Sequence, residues 1–256
     1  MKVGFIGVGK MASAIINGLK QTDHDIIISG SSLSRSKEIA DNLQVAYANS
    51  HQELIDQTDF IILGIKPQVF ETILKPLIFK QPVMSMAAGL SLERISQIVG
   101  DHLPLFRIMP NMNAQILQST TAISYNELVD PALFVSAKEM VDSFGSCFSI
   151  AEKDFDTFTA LAGSSPAYIY LFIKAMTKAG LKNGMPKEMA LEIVSQTVAA
   201  SAQQLLLGSE KPNDLIDKIC SPGGTTIAGL MELEKQGLTH AVSSAIDKTI
   251  AKAKTL

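Results

Sequence analysis

Lys2-Val3-Gly4-Phe5-Ile6-Gly7-Val8-Gly9-Lys10-Met11-Ala12 is the stretch on which the fold class turns. Lys2–Ile6 reads as a short apolar strand. Met11–Leu19 reads as a helix with Ile15, Ile16 and Leu19 on one side. Between them, Gly7, Gly9 and Ala12 fit the pattern G-x-G-x-x-A, and each position has a physical reason. Gly7 permits a tight turn, Gly9 lets a phosphate approach the backbone, and the small Ala12 lets helix and strand pack closely. The helix start then offers unpaired N–H groups and a partial positive charge to an anion. Strand, motif and helix in register predict a dinucleotide-binding turn over Gly7, Val8, Gly9, Lys10, Met11 and Ala12. The plain alternative is a glycine-rich turn without a ligand.

Working outward, short apolar runs alternate with amphipathic segments. Strands are predicted at Asp25–Ser29, Val45–Tyr47, Asp59–Ile65, Val83–Ala87 and Leu105–Ile108, then at Thr120–Ser124 and Cys147–Ile150. Helices are predicted at Arg35–Leu43, from Ser50 to about Gln57 with a capping box to Glu53, at Phe70–Leu74 and Leu92–Val99, and from Asp130-Pro131 to Ser143. The nearly continuous apolar run Asp59–Ile65 is what a strand covered on both faces requires. The alternation predicts a doubly wound, Rossmann-like parallel sheet over residues 1–152.

From residue 153 to 256 the strand-like runs stop. Helices are expected at Asp154–Leu161, Pro166–Lys182, Pro186–Leu206, Pro212–Ile219, Thr225–Glu234 and Thr239–Lys254. Several are apolar on more than one face. About a hundred residues cannot hide that surface alone, so subunits sharing a core are expected.

Bulk properties exclude other classes. Net charge is −3 without a long run of either sign, which argues against a nucleic-acid or anionic-membrane partner. Hydrophobic residues make up 46%, ample for a core, yet no stretch is long and apolar enough to span a bilayer, and the N-terminus makes a poor signal peptide. Cys147 and Cys220 form no CxxC pair, and the four histidines lack metal-ligand spacing, so no metal site is expected. A soluble protein in a reducing cytoplasm fits best.

The end of the second strand bears on which dinucleotide would bind. An Asp or Glu there would take the ribose hydroxyls of NAD, but the chain reads Ser29-Gly30-Ser31-Ser32-Leu33-Ser34-Arg35. Ser31, Ser32 and Arg35, with Lys37 behind them, suit a 2′-phosphate, which favours NADP(H) and leaves NAD(H) as the second choice. Ser32 or Ser34 could equally serve only to cap the next helix. Ile65-Lys66-Pro67-Gln68, Ala87-Ala88-Gly89 and Pro110-Asn111 each follow a strand, where doubly wound sheets bind ligands. In the helical half, Ala160–Tyr168 (ALAGSSPAY) and Ser221-Pro222-Gly223-Gly224-Thr225-Thr226 stand out. The second motif forces a turn before a helix and can present backbone N–H groups to an anion. Its pattern alone suits a plain helix-opening loop as well.

Together these motifs resemble the signature set of the pyrroline-5-carboxylate reductases, in order from Val3 to about Ala251. SPGGTT is the most specific part. Ser165 stands where a glycine is common, and Met112-Asn113 replace the usual small or proline residues. The resemblance implies NADPH-dependent reduction of the C=N bond of 1-pyrroline-5-carboxylate to L-proline, the last step of proline biosynthesis. It implies that Ser221, Gly223, Gly224 and Thr225 hold the substrate carboxylate, and that Thr226 binds the ring nitrogen as the catalytic residue. It also implies a homodimer through the helical domain, stacked into a larger ring such as a decamer. A hydroxyacid-type dehydrogenase would need a well-placed lysine; Lys174 and Asn183 lack the usual spacing. A redox sensor that only binds NADP would not need SPGGTT.

Overall fold

The computed structural model describes residues Met1–Thr255. The strands and helices of the first part are β1 (Lys2–Ile6), α1 (Lys10–Leu19), β2 (Asp25–Ser29), α2 (Leu33–Leu43), β3 (Ala46–Tyr47), α3 (His51–Asp56), β4 (Phe60–Leu63) and α4 (Pro67–Leu74). They continue as β5 (Val83–Ser85), α5 (Leu92–Val99), β6 (Leu105–Met109), β7 (Ser119–Tyr125), α6 (Pro131–Asp142) and β8 (Gly145–Ser149). One sheet holds all these strands in the order β3-β2-β1-β4-β5-β6-β7-β8. Strand order reverses between β1 and β4, which creates the switch-point crevice of a doubly wound sheet.

The sheet is not wholly parallel. β7 runs antiparallel to β6, with Ile108 opposite Ile123. The connection 110–118 explains this: a parallel return needs a crossover of about a dozen residues or more, and this segment holds only a 3₁₀ turn, Met112–Ile116.

The continuous apolar strand works as its pattern demands. Phe60 and Ile62 face one buried cluster with Val3, Phe5, Ile15 and Ile16. Ile61 and Leu63 face the opposite cluster with Leu54, Phe70, Leu74 and Ile95. Period-two alternation thus feeds two cores from one strand. Burying each such side chain contributes about 1.5–3 kcal/mol, so the central strands carry the stability of this unit.

Helix starts follow the capping residues. Ser32 accepts from Arg35 N–H at 3.2 Å, so α2 starts at Leu33, two residues before the expected Arg35. Ser50 accepts from Glu53 N–H. The return half of the predicted capping box shifts by one residue, with the Glu53 carboxylate accepting from Asn49 N–H at 2.8 Å. Asp130 caps α6 through Leu133 N–H.

The expected break between helices at 161–166 is absent. After α7 (Phe155–Phe158), a π-helical segment, Thr159–Ser164, runs directly into α8 (Ser165–Lys182). Pro166 sits in the first turn of α8. The ALAGSSPAY motif therefore forms a wide helical turn, a feature often found at functional sites.

Contacts divide the chain into two compact units, Met1–Gly163 with the C-terminal turn from Thr249, and Ser164–Lys248. In the second unit, α8 packs on α9 (Lys187–Leu207) as a hairpin. Then follow α10 (Pro212–Ile219), α11 (Thr225–Lys235) and α12 (Leu238–Ala253). Its only buried apolar side chains among the described residues are Ala190 and Val194. Ile169, Leu171, Met189 and Ile193 are exposed, and Leu206 and Leu207 are 83% and 81% exposed. Monomeric proteins rarely show so much apolar surface, which marks this unit as one that docks on another chain. No helix among the described residues is long and apolar enough to cross a membrane.

Candidate active site

The chain turns from β1 into α1 through Gly7, whose φ is +82°, a left-handed conformation that favours glycine. A Cβ on Gly7 would lie 2.4 Å from Ile65 Cγ2. Gly64, at the end of β4, meets it from the other side: its Cβ would fall 2.3 Å from Gly7 carbonyl oxygen and 3.1 Å from Ala12 Cβ. Gly7, Ala12 and Gly64 thus lock the two central strands and α1 together. Gly64 escaped the sequence reading, although a lone glycine ending an apolar strand is a signal of close backbone approach.

Gly9 behaves differently. It is the N-cap of α1, its side-chain position has no protein atom within 4 Å, and no side chain caps the helix. The first-turn N–H groups of α1 therefore have no intrahelical partner. Open space, orphan donors and the positive helix end make a seat for a phosphate.

A groove of about 260 Å³ runs from this turn along the ends of β2 and β4. Gly7, Val8, Gly9, Ser31, Arg35, Ile65 and Lys66 line it, together with His51, which the sequence reading missed. A second depression beside it adds Lys10. Ser32 lies exposed at the start of α2, with its hydroxyl also 3.1 Å from Ser34 Oγ. Arg35 is paired with Glu38 at 2.8 Å, both side chains more than half exposed. Such a surface pair contributes about 0–1 kcal/mol and yields readily to a stronger anion. Met11 packs on the core and Pro67 opens α4.

Ala87-Ala88-Gly89 follows β5, with Ala87 buried and Gly89 at φ +76°. Pro110-Asn111 follows β6. These residues sit at strand ends but are not among those lining the groove. Asn111 is committed internally: Nδ2 donates to Ala162 carbonyl at 3.0 Å, and Oδ1 accepts from Asn113 and Thr120 N–H. It braces the β6–β7 turn against the π-helical segment.

A further buried cluster lies beside β6. The Arg107 guanidinium reaches Glu152 at 2.9 Å and stacks 4.4 Å from the Phe155 ring centroid. The same Glu152 oxygen accepts from Leu92 N–H at 2.7 Å, capping α5. One carboxylate thus ties sheet, helix and the entry to the helical region. Arg107 is buried and Glu152 partly exposed, so removing Glu152 leaves a buried guanidinium without its carboxylate.

In the second unit, Ser221–Gly224 forms a tight turn with Gly223 at φ +69°. Gly224 N–H donates to Ser221 carbonyl at 3.0 Å, which corrects the expectation that this group is offered to a ligand. Closing the turn takes that donor, and Gly224 instead keeps room for the Ser221 hydroxyl, which a Cβ would approach to 2.5 Å. The donors left at this helix start are Gly223 N–H and the first-turn N–H groups of Thr225 and Thr226. Thr225 and Thr226 are exposed. Lys174 is exposed, and Asn183 Nδ2 donates to Ala179 carbonyl at the end of α8, so neither forms the pair a hydroxyacid dehydrogenase would need. Among the described residues no group of His, Cys, Asp and Glu side chains could hold a metal.

A switch-point crevice, a glycine turn and an open helix start define the dinucleotide-dependent oxidoreductase class. Comparison with known proteins narrows this. Residues 2–89 match the family model described as NADP oxidoreductase coenzyme F420-dependent, and residues 152–256 match pyrroline-5-carboxylate reductase dimerisation. Pyrroline-5-carboxylate reductase 2 of Bacillus subtilis is 37% identical over 97% of this chain and 92% of its own length. The crystal structure of 1-pyrroline-5-carboxylate reductase from Streptococcus pyogenes is 71% identical, with TM-score 0.93, covering 100% of this chain and 99% of that one. The Plasmodium falciparum pyrroline carboxylate reductase with NADP bound is 29% identical, with TM-score 0.88, covering 100% and 97%. The chain belongs to the pyrroline-5-carboxylate reductase family.

Proposed function

We propose that this protein reduces the C=N bond of 1-pyrroline-5-carboxylate to give L-proline, the last step of proline biosynthesis, with NADPH as reductant. The carrying observation is the open Gly9 helix start beside a groove that ends on Ser31 and Arg35, in a chain related over its whole length to reductases of this imine. NADPH, when bound, supplies the hydride. The α1 N–H groups hold its pyrophosphate, Ser31, Ser32 and Arg35 receive the 2′-phosphate, and Ile65, Lys66 and Pro67 flank the groove. Ala87–Gly89 and Pro110 border the nicotinamide end, with Asn111 holding that loop in place. NAD(H) is the poorer alternative.

Residues 1–152 serve as the nucleotide-binding part and 153–256 as the substrate and dimerisation part. The Ser221 hydroxyl and the N–H groups of Gly223 and Thr225 bind the carboxylate. Thr226 hydrogen-bonds the ring nitrogen and orients the imine. No side chain in these motifs need act as a general acid, because a cyclic imine can enter protonated. Positioning alone supplies about 7–11 kcal/mol of barrier reduction in favourable cases.

Mixing the protein with 1-pyrroline-5-carboxylate and following reduced-nicotinamide absorbance tests this directly. Rapid loss is expected with NADPH and slower loss with NADH. Nucleotide binding without turnover would mean a sensor instead. The free thiols Cys147 and Cys220 support a reducing, cytoplasmic setting.

The apolar helical unit supports a homodimer, stacked into a larger ring such as a decamer. Light scattering after size exclusion is expected to give at least twice the 27.5 kDa chain mass, and a stable monomer would defeat this. Leu206→Glu, at a position 83% exposed in the single chain, is expected to shift the population toward monomer.

A further inference from the structure

We propose that His51 is a specificity-determining residue of the groove, giving an Nε2–H hydrogen bond to the 2′-phosphate of NADPH. The proposal rests on the reading of this groove as the nucleotide site. His51 opens α3, and its Nδ1 lies 2.8 Å from Ser29 Oγ at the last position of β2. Ser29 is 2% exposed, so the ring is held from behind by a buried hydroxyl. Nε2 makes no hydrogen bond to a protein group among the described residues, and the ring lines the groove with Ser31, Arg35 and Lys66. A doubly wound sheet places the adenosine ribose at this strand end, where an acidic residue would select NAD. Here Ser29 and His51 occupy that place.

The pair survives a change of protonation. A hydroxyl donates to neutral Nδ1 and accepts from it once the ring is charged. With the Ser29 hydroxyl donating to Nδ1 of the neutral ring, Nε2 presents a hydrogen to the groove in both states.

Arg35 from α2, itself paired with Glu38, and Lys66 before α4 line the same groove. Glu53 on α3 is turned back to Asn49. On β1 and β2, the strands behind α3, the charged residues Lys2 and Asp25 sit in register at the opposite strand ends. Burial pushes the His51 pKa below the ordinary imidazole value. A bound phosphate dianion raises it, so NADPH binding takes up a proton. Affinity for NADPH is then highest below the free-state pKa and falls as pH rises through the bound-state value. NADH, lacking the phosphate, shows no such slope.

The test is the ratio of NADH to NADPH dissociation constants, read by nicotinamide fluorescence from pH 6.5 to 8.5. In the unaltered protein it is expected to fall by about five- to tenfold, the span of one histidine titration. In His51→Gln, which keeps a neutral donor, it is expected to stay flat within about twofold. The nucleotide phosphate itself titrates near pH 6 and affects both proteins alike. Unchanged NADH affinity in His51→Gln at pH 8.5 shows that the groove is intact. A flat ratio in the unaltered protein, or the same slope in His51→Gln, overturns the assignment of His51. Failure of NADPH to bind the unaltered protein overturns the reading of the groove instead.

Discussion

Gly64→Ala is expected to destabilise the nucleotide-binding unit by about 3 kcal/mol, the upper end of the usual cost of overpacking a core. NADPH binding is expected to weaken with it by more than about tenfold, the equivalent of 1.4 kcal/mol. The new methyl would stand 2.3 Å from the Gly7 carbonyl oxygen and 3.1 Å from Ala12 Cβ. The first obstacle is backbone, which no rotamer change can relieve. Either the β4 end moves away from β1 or the Gly7 turn shifts, and both disturb the seat at the start of α1. Urea unfolding and a nicotinamide fluorescence titration read the two effects. Gly9→Ala is the control, because a Cβ there meets no protein atom within 4 Å. It should lose far less stability than Gly64→Ala, no more than the cost of Ala at a helix N-cap, yet bind NADPH more weakly. Unaltered stability in Gly64→Ala would refute the contact.

The second large effect is expected at the other motif. Thr226→Ala should lower kcat about a hundredfold, as when one preorganised hydrogen-bonding group is removed from a reacting centre. NADPH affinity should stay unchanged. The side chain is exposed in the first turn of α11 and supports no core, so its loss should leave folding intact. Thr226→Ser, which keeps the hydroxyl, should recover most of the rate. A kcat for Thr226→Ala equal to that of the unaltered enzyme would remove Thr226 from the chemistry.

Much of this arrangement is legible in the chain because its signals are local. The fingerprint Gly7–Ala12, the caps Ser32, Ser50 and Asp130, and the apolar run through Phe60–Leu63 lie within a few residues of the structure they cause. The abrupt loss of strand patterning after residue 152 announced an all-helical part, and its surplus of apolar faces announced an association. Where local signals conflict, the reading fails by small steps. Pro166 suggested a helix boundary, but a π turn absorbs it within a continuous helical run.

By itself, then, the sequence determined the class: the order of strands and helices, the glycine turn of the fingerprint, the tight turn of SPGGTT ahead of a helix and the family resemblance. Those depend on backbone preferences and periodicities that neighbours along the chain can express. Only the tertiary structure decided which distant residues meet. It placed His51 against Ser29, put Glu152 on Arg107, and used Asn111 as a brace to Ala162. It also pressed Gly64 onto Gly7. These partners are separated by tens of residues along the chain. Their encounters follow from strand order and the packing of helices on a twisted sheet, and no short window of sequence carries that information.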